Sequence, residues 1–94
     1  MSNRAVGLSE GDAAVWRQKL PAYSSISALM RDLASEYSAP RNDVGAMLYS
    51  LFDELSLDEV AYVWKWDFER AGRGLSDMRI DQLLAHLLQK VKQK

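Results

Sequence analysis

LSLDEVAYVWKWDFERAGR, residues 55 to 73, decides the fold, because its two halves argue for different backbones. Tyr62, Trp64, Trp66 and Phe68 alternate with Val63, Lys65, Asp67 and Glu69, the period-two pattern of a half-buried strand. The residues before them argue for a helix. Ser56 followed by Glu59 is a capping box, in which each side chain satisfies the other residue's free backbone N–H, and Leu55 and Val60 stand at the positions of a hydrophobic staple. Asp58 and Glu59 place negative charge on the first turn, where the helix dipole favours it, and Gly72 stands where a left-handed C-terminal residue is wanted. Start and stop signals agree across the whole stretch whereas the alternation covers only its middle, so the sequence reads as one helix from Ser56 to Gly72.

The flanks repeat the same chemistry. Before the stretch, Val44, Met47, Leu48, Leu51 and Leu55 share one helical face with Phe52 at its edge, and Pro40 fits the first turn of that third helix. A second helix, capped by Ser24 or Ser25, puts Ile26, Leu29, Met30, Leu33 and Tyr37 on one stripe and Arg31, Asp32, Ser35 and Glu36 on the wet side. A first helix, the least marked, opens at Ser9, places Ala13, Trp16 and Leu20 together and ends at Pro21. After the stretch, Leu75, Ser76 and Ile80 form another staple and cap, and a fifth helix carries Ile80, Leu83, Leu84, Leu87 and Val91 on its buried stripe. Residues 1 to 7 read as a mobile lead-in and 91 to 94 as a fraying tail. The expected fold is all-α, a compact bundle of four to five short helices joined by short loops.

The 94 residues make one domain of ordinary globular composition, 48% hydrophobic and 27% charged. The net charge of −1 exerts no global pull toward nucleic acid or anionic membrane. The charge is unevenly spread: residues 1 to 64 carry five Lys/Arg against nine Asp/Glu, net −4, and residues 65 to 94 carry seven against four, net +3. Cysteine is absent, which removes disulfides and thiolate metal sites. With no apolar run of signal-peptide or membrane-spanning length, the sequence is read as cytoplasmic.

No catalytic, cofactor or metal motif stands out, and the expectation is a protein that is not an enzyme. His86, the only histidine, has only Gln82 and Lys90 one turn away and reads as a surface residue. The Asp53/Glu54 and Asp58/Glu59 pairs bracket a helix junction and fit its capping better than acid–base work. There is no threonine, and no serine has the glycine context of a nucleophile elbow. On a helical plot of residues 56 to 72, Leu57, Val60, Ala61, Trp64, Phe68 and Ala71 form the natural core face. Tyr62 and Trp66 fall opposite, among Asp58, Glu59, Lys65, Glu69 and Arg70.

Two large aromatics on a charged face mean either that neighbours such as the first helix and its Trp16 cover both sides, or that a partner docks there. A fully shielded Trp66 indole removes the second reading. The functional expectation is a protein-binding domain, an inhibitor, immunity protein or adaptor. It would anchor a protein partner or another copy of itself through Tyr62 and Trp66, framed by Asp58, Glu59 and Glu69, with Arg70 and Arg73 as bidentate contacts. The alternative is a regulatory nucleic-acid binder using Arg70, Arg73, Arg79 and the C-terminal lysines.

Overall fold

The computed structural model describes residues 7–92, with side chains through Lys90. The expected lead-in therefore falls, apart from Gly7, outside the described residues, as do residues 93 and 94 of the tail. Five α-helices follow in order: α1, Glu10–Lys19; α2, Ile26–Tyr37; α3, Arg41–Leu51; α4, Leu57–Trp64; and α5, Asp77–Lys92. A 3-10 turn over Leu20–Ala22 extends α1 across Pro21. The fold is a small all-α bundle, as the spacing of apolar residues implied. Among the described residues no helix is long and apolar enough to cross a membrane.

The helix starts are where capping chemistry put them. Ser9 accepts from the backbone N–H of Asp12, Ser25 from Ala28 and Ser76 from Arg79. Ser56 accepts from Glu59 N at 3.2 Å while Glu59 Oε1 accepts from Ser56 N at 2.9 Å, a complete capping box. Pro40, expected inside the first turn of α3, stands just before it and makes no side-chain capping bond. A cap of another kind joins distant elements: the carboxylate of Asp81 on α5 accepts from both Ser27 N and Ser27 Oγ, holding the first turn of α2.

The helix stripes meet in one core. Ile26, Leu29, Met30 and Leu33 of α2 pack with Val44, Met47, Leu48 and Leu51 of α3 and with Ile80, Leu84 and Leu87 of α5, all buried. Leu83 is only partly buried. Helix α2 packs on both α5 and α3, α4 packs chiefly on α3 and also meets α5, and α1 packs on α3. Burying Val60 and Val63 brings α4 onto α3 at Gly45, where a Cβ would stand 3.4 Å from both Trp64 Nε1 and Val60 Cγ1. Only a small residue keeps that approach.

The central stretch departs from the expected single helix. Its helix stops at Trp64, and residues 65–76 form a loop closed by an isolated parallel β-bridge between Trp66 and Leu75. Leu75 N donates to Lys65 O and Asp67 N to Leu75 O, both at 2.7 Å. Gly72 is left-handed, φ +83°, but as a member of this loop and not as the helix stop. Gly74, φ +84°, is the tighter constraint, since a Cβ there would fall on the Lys65 carbonyl oxygen. Inside the loop, the Asp67 carboxylate accepts from Ala71 N and Gly72 N, both at 2.9 Å. Of the alternating aromatics only Trp66 pairs as extended chain, in that single bridge; Tyr62 and Trp64 are helical and Phe68 lies in a turn.

Candidate functional site

The early stop of α4 redistributes the aromatics. Trp66 is wholly buried, at 0% exposure, whereas Trp64 is 49% exposed. Both assignments from the helical plot are thus reversed: Trp66 lies beyond the end of the helix, where the helical phase no longer applies, and Trp64, its last residue, stands off the face that Val60 and Val63 bury. Trp66 cannot be an exposed anchor. Nor does Trp16 cover it: Trp16 packs on Tyr37 and donates its indole N–H to Tyr37 Oη at 2.8 Å.

Trp66 is held by a polar cluster that the sequence did not reveal. Its indole N–H donates to Asp77 Oδ1 at 2.8 Å. Asp77 also receives Arg31 in a two-pronged contact, Nε to Oδ2 at 3.0 Å and Nη2 to Oδ1 at 2.7 Å, and Arg70 at 3.2 Å. The third nitrogen of Arg31 donates to Phe68 O, and its guanidinium lies 4.8 Å from the Trp66 ring centre. Phe68 stacks obliquely on Trp66 at 5.0 Å between centroids. The Arg31 hydrogen bonds, joined by those from Trp66 and Arg70 and opposed by partial burial, hold the Asp77 carboxyl well below the usual carboxylate range. Asp77 also begins α5, where the helix dipole adds to the same effect. Arg31, expected on the wet side of α2, instead ties α2, the loop and α5 together.

The other expected anchors are not gathered in one place. Arg70 turns to Asp77, while Glu69 and Arg73 line a cleft of about 450 Å³ with Arg41 and Asn42. Asp58 is exposed on α4, and Tyr62 is partly buried against the core. Glu59 is engaged twice, in the capping box and with His86, whose Nε2 stands 2.6 Å from Glu59 Oε2. Partial burial pushes the Glu59 carboxyl up, but Ser56 and His86 outweigh it and draw it below its usual value. His86 thus links α5 to α4, a partner 27 positions away that sequence spacing could not supply. Of the arginines in the nucleic-acid reading, Arg70 is spent on Asp77 and Arg79 donates to Gln82. Among the described residues no three His, Asp or Glu side chains cluster as metal ligands.

What the structure does expose together is a different apolar set. Leu57 is 74% exposed and Tyr49 55%, and with half-exposed Trp64 they line a groove of about 330 Å³ between α3 and α4, floored by Ala46 and Val60. Leu57 and Trp64, assigned to the core from the helical plot, are two turns apart on one edge of α4. Tyr49 was legible as outward-facing, since it falls off the Val44, Met47, Leu48, Leu51 stripe. Gly7 and Ser50 complete one wall, where Leu8 N donates to Ser50 Oγ and Ser50 Oγ donates to Ala46 O. Arg17 of α1 donates to Ser50 O at 2.8 Å.

No protein-family model matches the chain, and comparisons with curated proteins and with solved structures find no match.

Proposed function

We propose that the chain is a non-enzymatic protein-binding domain whose docking surface is the α3–α4 groove. The observation that carries this reading is the joint exposure of Tyr49, Leu57 and Trp64 on a molecule whose remaining large apolar residues are mostly buried. Holding such side chains in water forfeits about 25 cal/mol for each Å² left uncovered, and contiguous apolar ground of this kind marks interaction sites. Aromatic anchors in a shallow pocket are the usual centre of a protein–protein contact. The few polar groups at the groove also suit docking over chemistry, since the Ser50 hydroxyl is already hydrogen-bonded on both sides.

Acting this way, the domain serves as an inhibitor or adaptor, blocking or tethering whatever it covers. With no cysteine in the chain, we place it in the cytoplasm. The anchor moves from Trp66 to Trp64, and the test moves with it. In affinity capture from extracts of the source cells, Trp64→Ser is expected to lose the bound protein, with affinity down at least about tenfold. The helical circular dichroism should be unchanged. Equal capture by the folded variant refutes the groove.

A further inference from the structure

The capping box of α4 reaches beyond its own helix. Glu59 uses Oε1 for the Ser56 N–H and offers Oε2 to His86 Nε2 at 2.6 Å, so one carboxylate both closes the first turn of α4 and ties it to α5. Its side chain is only 19% exposed and already fixed by the box, which leaves little rotamer freedom for the second contact to freeze. His86 is 51% exposed, so water and protons reach its ring. Imidazole is the side chain that ordinarily changes charge between pH 5 and 8, and this chain has one histidine. Against partial burial, the Ser56 and His86 contacts draw the Glu59 carboxyl below its usual value, so the anion is present throughout that window.

The surrounding charges leave the pair to itself. On α5 the nearest are Lys90, one turn beyond His86 and exposed, and Arg79, about two turns before it and bonded to Gln82. On α4 and the junction before it stand Asp53, Glu54 and Asp58, all exposed, and Tyr62, one turn beyond Glu59 and partly buried. Of the other elements packed on α5, the Leu20–Ala22 turn carries no charge. Helix α2 engages α5 through Arg31 on Asp77 and Ser27 on Asp81, at least five residues before His86. Among the described residues no other group forms an ion pair with His86 or Glu59.

We propose that the His86–Glu59 contact is a pH-sensitive clasp: protonated His86 holds the start of α4 against α5, and loss of that proton loosens the first turn of α4. A neutral ring either turns a lone pair toward the carboxylate, which repels it, or keeps an N–H there without the ionic attraction. The contribution of the pair is therefore present on the acid side of the imidazole range and lost as pH rises through it. Leu57, the first residue of α4, lines the α3–α4 groove, so the clasp also steadies one wall of that groove.

Urea unfolding of the full chain at about pH 5.5 and about pH 8, followed by circular dichroism, brackets the imidazole range. The wild-type unfolding constant should be about two- to fivefold smaller at the lower pH, the scale of a pair that water still reaches. Glu59→Gln keeps the capping box, since Gln closes it as Glu does, but removes the anion, and His86→Gln removes the titrating ring. Both variants should lose the pH difference. A local reading comes from nuclear magnetic resonance of the wild type, where the Ser56 and Glu59 amide signals should move in one step across the same range. A wild-type stability that is flat or rises toward pH 8 overturns the clasp, as does a pH difference that survives in either variant. Amide signals that stay still overturn it even where a variant fails to fold.

Discussion

Trp66→Ala is expected to cost about 4 kcal/mol, the usual loss when a buried Trp is truncated to alanine. Against the stability of a domain this size, about 5 to 15 kcal/mol, that is a quarter or more of the total, so the unfolding midpoint should fall well below that of the wild type. Two terms add up. The indole leaves a cavity beneath Phe68, and Asp77 and Arg31 lose the ring that both contact. Chemical denaturation followed by circular dichroism measures the loss. Trp64→Ala, at a half-exposed position two residues earlier, should change stability by less than about 1 kcal/mol. Similar losses for the two would contradict the division of the aromatic run.

Asp77→Ala should cost about 3 kcal/mol, since it strands the Trp66 N–H in the core and leaves Arg31, which is 24% exposed, without its anion. The cost stays below that of a fully buried ion pair because water still reaches both partners. The same carboxylate sets an acid limit. Its folded-state pKa lies below the unfolded value of about 3.9, so its contribution is fully present above that pH and declines as pH falls toward the folded value. Wild-type unfolding free energy should therefore drop as pH is lowered from about 4. In Asp77→Ala the drop should be shallower. Parallel acid profiles for the two proteins would show that Asp77 is not the linked group.

How much of this was legible in the sequence depended on how local the cause was. Caps at Ser9, Ser25, Ser56 and Ser76 are settled within four residues, and each was readable, the second only to within Ser24 or Ser25. The α2, α3 and α5 stripes repeat over several turns and were readable too. In the central stretch, α4 is only eight residues long, too few to average out a phase error, and the capping box at its start says nothing about where it ends. What ends it is remote: Leu75 supplies the bridge to Trp66, and Asp77 and Arg31, 11 and 35 positions from Trp66, bind and stack on its indole. No periodicity encodes such pairings. The alternation of Tyr62, Trp64, Trp66 and Phe68 corresponds to no strand among the described residues: the first two lie in α4, Trp66 makes one bridge and Phe68 lies in a turn. Counting Phe68 and Ala71 on a helix that has already ended drew the supposed core face toward Trp64, so that Trp64 was placed inside and Trp66 outside.

Which indole meets water therefore separates the two accounts, and acrylamide quenching of tryptophan fluorescence reads it directly. The chain has three tryptophans, of which Trp16 and Trp66 are buried and Trp64 is half exposed. Wild-type emission should contain one readily quenched component beside a shielded one, and Trp64→Phe should remove the quenched component alone. If that component survives in Trp64→Phe, the exposed indole is another one, and the groove built on Trp64 is wrong.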